Sequence, residues 1–299
     1  SKERPIVDLV PATPTASMLA KAPNATEAAG ASSIVLLDET REVVYPDYAR
    51  AARVHRIIKV LDASAAEQYR QYPLATSSAT ASATLESARL IKPDGKVQDA
   101  TDNASGSSVA FPSLGPGDII DVAFRVEDYP RGGLARQFWT EWYFSEPGTF
   151  VRLSRYVLIT PPAMAFRMQS HGPVPPPAVK DVKGWRVREW RLADIPARKL
   201  EPVSPGMADT ETWLDISTIT SWRQIVQWYQ DLSRPRCVPD AAIRAKAAEL
   251  TKDAKTEEEK LRALIAYVRA IQYQSTPFRL SAYVPTEGKQ VIRERYGDC

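Results

Sequence analysis

The chain runs out on Tyr296-Gly297-Asp298-Cys299, where residue types and spacing point most directly to chemistry. A glycine two positions before a cysteine lets the backbone turn tightly and present the thiol. If Cys299 opens a helix, the positive end of the helix dipole favours thiolate over thiol. Such a thiolate attacks acyl groups. It needs a histidine as base or imidazolium partner, and a third polar group to orient that histidine. The sequence holds two histidines, His55 and His171, and two cysteines, Cys237 and Cys299. His55 sits in a strand pattern and His171 beside Gly172 in a proline-rich loop. Both read as ordinary strand or surface histidines. Cys237, between Arg236 and Val238, lacks a turn or helix-start context and reads as a plain thiol. Two cysteines make no disulfide framework. The absence of clustered Cys/His spacing argues against a structural zinc site.

The elements that must position Cys299 change character along the chain. Residues 1–31 are rich in Ala, Pro, Thr and Ser without a sustained period, and are expected to form a flexible lead-in. From Ser33 short strands follow. Ile34-Val35-Leu36-Leu37 and Val43-Val44-Tyr45 flank the polar stretch Asp38 to Glu42, which reads as the turn of a hairpin. Pro93-Asp94-Gly95-Lys96 is a reverse-turn signal. Ile120, Val122, Phe124 and Val126 alternate with Asp121, Ala123 and Arg125, the mark of a half-buried strand. Phe138 to Phe144 is largely aromatic and suits a strand covered on both faces. Trp185 to Leu192 puts Trp185 and Val187 on one face, Trp190 and Leu192 on the other. Many short strands between turn signals suggest a β-sandwich.

Near Pro205 the period switches from two to 3.6. Ser221-Trp222-Arg223-Gln224 and Thr256-Glu257-Glu258-Glu259 have the form of capping boxes. Behind them run the stripes Trp222, Ile225, Val226, Tyr229, Leu232 and Leu261, Leu264, Ile265, Val268, Ile271. Helices are expected near 221–233, 240–251 and 257–272. The fold class is therefore mainly β plus α, with a lead-in over 1–31, a β-sandwich over 32–205 and a helical part over 206–299.

Lys and Arg number 39 against 36 Asp and Glu, a net charge of +3, so the composition gives no electrostatic footprint for nucleic acid. No apolar run approaches the ~20 residues that span a bilayer. The chain opens Ser1-Lys2-Glu3-Arg4 without an initiator Met or a signal-peptide core, as expected of a trimmed chain, a mature form or an internal segment.

Tyr296-Gly297-Asp298-Cys299 resembles the nucleophile motif of the transglutaminase-like superfamily of papain-like cysteine enzymes, where Gly-x-Cys opens the central helix. The order before it is similar too: a helix from Thr256 to Ile271, then Gln272-Tyr273, Pro285 and a helical stretch from Val291 to Tyr296. The upstream part resembles the β-sandwich domain of unknown function that precedes this core in many bacterial proteins. It does so through Ile34 to Leu37, His55 to Val60, Ala88 to Gly95, Pro196-Ala197 with Glu201, and Ile216-Ser217-Thr218 running into Trp222. The resemblance covers roughly residues 32–299. It implies a Cys-His-Asp mechanism on amide or acyl groups, by transamidation or hydrolysis, with Cys299 as nucleophile. It implies a protein or peptide substrate, a periplasmic or extracellular setting, and no metal or organic cofactor. In that family the histidine follows the cysteine. Here none does, so the chain as it stands is expected to be inactive. A non-catalytic β-sandwich that binds protein, peptide or glycan is the rival reading, with Trp139, Trp142 and Tyr143 as a possible binding face or, more simply, core.

Overall fold

The computed structural model describes residues 8–20, 28, 30–74, 80–102, 107–130, 136–198, 203–273 and 284–297. Contacts divide the chain into two compact units, residues 1–220 and 221–299. The first is β-rich and the second helical, so the molecule is mainly β with some α, as the change of period predicts.

The first unit opens with α1 (Thr15–Leu19), β1 (Ser33–Val44), β2 (Arg50–Val60) and α2 (Ala63–Tyr69). Then come β3 (Gln71–Pro73), β4 (Ala81–Ile91), β5 (Val97–Asp99), β6 (Thr101–Asp102), β7 (Ser108–Ala110) and β8 (Ile119–Asp128). It closes with β9 (Trp139–Tyr143), β10 (Thr149–Thr160), β11 (Arg167–His171), β12 (Ala178–Val182), β13 (Trp185–Ile195), α3 (Met207–Thr210) and β14 (Trp213–Ser217). An eight-stranded sheet, in the order β12-β13-β10-β1-β2-β8-β4-β5, is its backbone. Two three-stranded sheets, β11-β14-β9 and β3-β7-β6, accompany it.

Both small sheets pack on one face of the large one. Tyr156, Thr40, Val54 and Phe124 are register partners across β10, β1, β2 and β8, so they share a face. Tyr156, with Leu158 and Trp190, packs against Leu214 and Ile216 of the small sheet containing β9. Phe124, with Ile58 and Ile120, packs against Tyr69 of α2, Tyr72 of β3 and Val109 of β7. The alternation of β8 and of Trp185 to Leu192 holds: Val187 and Trp185 join one core, Trp190 and Leu192 another. The turn at Gly95 holds as well, with φ +84° and a bond from its N–H to the Lys92 carbonyl.

Several expectations are corrected. Asp38 to Glu42 forms no hairpin turn; β1 runs straight through it as one twelve-residue strand. Its neighbours β2 and β10 pair with it along both edges, which satisfies the backbone of a segment whose side chains are polar. Phe138 to Phe144 is covered on one face only: Phe138 and Phe144 are buried, whereas Trp139 is 52% exposed. The flexible lead-in does not describe residues 8–20. Val10 and Met18, each 3% exposed, cover the second face of the large sheet. There Thr13 donates through N–H and Oγ1 to Glu39, and Arg155 bonds the Pro11 carbonyl. The unit also extends past Pro205, because β14 pairs with both β9 and β11.

In the second unit α4 (Trp222–Ser233), α5 (Ala241–Thr251) and α6 (Glu257–Arg269) fall where the stripes predict them. They are followed by β15 (Gln272–Tyr273), α7 (Gly288–Glu294) and β16 (Tyr296–Gly297). Thr256 and Glu259 close both bonds of the capping box on α6. Ser221 makes no side-chain cap bond, so the box predicted for α4 does not form.

Candidate functional site

Cys299 and Asp298 lie outside the described residues, but the backbone leading to them is held from several sides. β16 pairs in parallel with β15, matching Tyr296 to Gln272 and Gly297 to Tyr273. Arg295 takes the left-handed turn between α7 and β16, with φ 62° and ψ 21°. The sequence assigned that turn to glycine. Gly297 instead sits in a tight place: a Cβ there would lie 3.3 Å from Cγ1 of Val291, which would have to give by a few tenths of an ångström. The Arg295 guanidinium sits 4.9 Å over the Tyr267 ring of α6, which ties the turn to the longest helix of the unit. Cys237 is an exposed free thiol after a single 3-10 turn.

The histidines belong to separate places in the β unit. His55 points to the second face of the large sheet, where Nε2 lies 2.8 Å from Oδ1 of Asp121. Thr15 donates to the other oxygen of that carboxylate at 3.2 Å, so α1 lies beside the pair. His171 stacks on Trp213 with ring centroids 3.8 Å apart, and Tyr143 stacks on Trp213 at 5.5 Å. These rings form a row across β11, β14 and β9 on the outer face of the small sheet. Each histidine is thus engaged in a contact within the β unit that accounts for it structurally.

A cleft that the sequence reading did not single out lies beneath β9. Trp142 points inward, stacks on Tyr156 at 5.2 Å and donates Nε1–H to Oγ of Ser154 at 3.1 Å. A cavity of about 420 Å³ lies to one side of it and one of about 360 Å³ to the other. The first is lined by Asp38 and Glu146, which share the Arg56 guanidinium: Arg56 bonds Glu146 directly and lies 3.5 Å from Asp38. Burial pushes the Asp38 carboxyl up to about 6, against the pull of Arg56 and with the push of Glu146. The second is floored by Glu42, Arg50 and Asp128. Tyr156 Oη donates to Glu42 at 2.6 Å, and Arg50 bonds Asp128. Burial raises the Glu42 carboxyl too, opposed by Arg50 and by the Tyr156 bond. The signal was present as Asp38, Thr40 and Glu42 at period two inside an apolar strand, with Arg50 and Arg56 facing them from β2. Charged side chains on a buried face are rare unless paired or used. Among the described residues no three His, Cys, Asp or Glu side chains converge to hold a metal ion.

Residues 102–199 match the family model of a domain of unknown function with a solved structure, DUF3857. That span runs from Asp102 in β6 to just beyond β13, so it contains Asp128, Trp142, Glu146 and Tyr156 of the cleft. Among solved structures the chain is similar to a candidate protease from Parabacteroides distasonis, with a TM-score of 0.67 and 16% identity. The similarity covers 89% of this chain and 56% of that one, so the chain spans little more than half the length of its structural relative. At that identity it is the fold that is shared. An M1 zinc metallopeptidase from Deinococcus radiodurans aligns with a TM-score of 0.31 at 12% identity, over 62% of this chain and 42% of its own. That score is too low to carry an argument. No curated protein matches the sequence.

The cleft and the Cys299 segment offer different chemistry. The first has carboxylates, arginines, a tyrosine and an indole at fixed spacing along an open strand edge, which suits recognition. The second leads in sequence to a cysteine, and a thiol is a residue type that can attack acyl groups. No helix among the described residues is long and apolar enough to cross a membrane.

Proposed function

We propose that this chain is the N-terminal portion of a transglutaminase-like cysteine enzyme, with Cys299 as its nucleophile. The observation that carries the reading is the second unit itself. Its helices bear long apolar stripes, yet none of the described residues from 221 to 297 is buried. Trp222 is 80% exposed and Val268 61%. Helices derive most of their stability from burying such a face, so these stripes read as surfaces that further polypeptide covers. In the family that Tyr296-Gly297-Asp298-Cys299 resembles, the base and its orienting carboxylate come after the cysteine in the chain. The shared fold with a longer candidate protease supports the same reading.

In this mechanism the histidine takes the Cys299 proton as sulfur attacks the amide carbonyl. The tetrahedral intermediate collapses to a thioester as the amine leaves with that proton. An amine acceptor then gives transamidation, and water gives hydrolysis. The setting is periplasmic or extracellular, and the substrate is a protein or peptide.

Two measurements test this. The 299-residue chain should show no turnover of amine-donor or small amide substrates above a Cys299→Ala control. In a chain extended through the downstream histidine, Cys299 should react with iodoacetamide at mildly acidic pH far faster than Cys237, because a neighbouring imidazolium and a helix N-terminus both lower a thiol pKa from about 8.5. Equal pH profiles for Cys299 in the two chains would remove the nucleophile assignment. The cleft beneath β9 supports a second reading, in which the β unit is a recognition module.

A further inference from the structure

Among the described residues β9 pairs on one side only, with β14. The ladder tells which groups face the open side. Thr218 N–H bonds the Phe138 carbonyl at 2.8 Å and Phe144 N–H bonds the Thr212 carbonyl at 2.9 Å. In an antiparallel pair such bonded residues alternate with unbonded ones. Thr140 and Trp142 therefore direct their backbone groups to β14. Trp139, Glu141 and Tyr143 direct theirs to the free edge. That edge runs along both cavities: Thr140, Glu141 and Trp142 line one, and Trp142 and Tyr143 line the other.

We infer that the free edge of β9 takes an extended basic peptide as an added strand, with its cationic side chains in the two cavities beside Trp142. Three features favour this occupant. Unpaired N–H and C=O groups on an edge strand are a template for another extended chain. The cavities, about 420 and 360 Å³, reach the size of small-ligand sites and so have room for long side chains. Among the described residues the charge around the cavities is one-sided: Asp38, Glu42, Asp128 and Glu146 stand with Arg50 and Arg56. A lysine or arginine side chain supplies the missing positive charge, and its aliphatic stem lies against the indole. An acidic side chain meets Asp38 and Glu146 in one cavity and Glu42 and Asp128 in the other. The inference deepens the reading of the β unit as a recognition module. It stands or falls without Cys299, whose labelling profile is a separate result.

The test uses the 299-residue chain and a fluorescein-labelled peptide of alternating lysine and threonine, followed by anisotropy. The peptide should bind, with affinity falling as salt rises, and its glutamate–threonine counterpart should not bind. N-methylation of the peptide backbone should weaken binding by about tenfold or more, because the strand bonds go while the charge stays. Glu141→Pro removes an N–H from the free edge and leaves the β14 ladder intact, a position where an edge strand tolerates proline. It should weaken binding by about tenfold, whereas Glu141→Gln should cost only a few-fold. The inference is overturned if no peptide binds, if the N-methylated peptide binds as well as the parent, or if acidic and basic peptides bind alike. It is also overturned if light scattering shows that the protein alone pairs through β9 as a dimer that Glu141→Pro dissolves. The N-methylated peptide acts on unmodified protein, so the outcome does not depend on how the proline variant folds.

Discussion

Asp38 shows how one side chain can be legible in type and invisible in role. An aspartate between Leu37 and Glu39 reads as a turn residue, because short polar side chains favour turns. In the fold it faces the cleft, beside Arg56 and Glu146. Its carboxyl is pushed from 3.8 to about 6, chiefly by burial. The folded state therefore holds a proton that the unfolded state has released between those values, and stability from this group falls as pH rises through that window. Asp38→Asn cannot titrate. Its stability relative to the parent should rise from about pH 4 to about pH 6 and then level off, measured as urea midpoints across pH. A flat difference would mean that solvent reaches Asp38 freely. At the same scale Gly297→Val should disturb the approach to Cys299, since the first added carbon already lies 3.3 Å from Val291. Faster hydrogen exchange at the Tyr273 and Gly297 amides is the expected readout, and unchanged exchange would mean that Val291 simply moves aside.

At the scale of elements, local signals were reliable where their causes are local. The cap, the stripe and the charged first turn of α6 all lie within its own residues and those just before it, and the helix forms as read. The capping box predicted at Ser221 is the instructive failure. The residue types are right, but the Ser221 side chain makes no cap bond, and Gln224 N–H bonds the Ser221 backbone carbonyl. Thr256→Ala should accordingly cost about 1 kcal/mol, seen as faster hydrogen exchange in the first turn of α6. Ser221→Ala should stay within about 0.5 kcal/mol in α4. Equal losses in the two helices would contradict the difference in their caps. β9 failed in the other direction. Its aromatic run suggested cover on both faces, yet aromatic type says nothing of which side a neighbour takes, and Trp139 and Trp142 ended on opposite sides.

For the whole molecule, burial separates the two units sharply. The first holds every buried residue among those described, including Trp190, Tyr156 and Phe111, while the second holds none. Residues 1–220 expressed alone should fold cooperatively, with near-ultraviolet circular dichroism from packed aromatics. Residues 221–299 alone should retain partial helix, bind a hydrophobic dye and melt without a sharp transition, because a helix with an uncovered stripe is marginal in water. A cooperative melt of the isolated second unit would show that its stripes need no further cover, and the reading of that unit as part of a larger domain would go with it.

The alternation of β8 and of Trp185 to Leu192, the helical stripes, the positions of three helices and the turn at Gly95 can all be read from the amino-acid sequence alone. These are consequences of backbone geometry and of side chains a few residues apart, and no distant partner is needed to set them. The sequence also supplied the motif at Cys299, whose residue types carry a chemical meaning wherever the chain places them. That Asp38 to Glu42 is a strand and that residues 8–20 cover a sheet emerges from the fold. The fold alone showed that Asp38 and Glu146, far apart in sequence, share Arg56 at the rim of a cavity. The physical reason is that a polar residue can be buried only when remote groups satisfy its charge and hydrogen bonds. Those groups come from β2, β10 and the N-terminal segment, and the approach of the strands is fixed by sheet register, which no local pattern in β1 records.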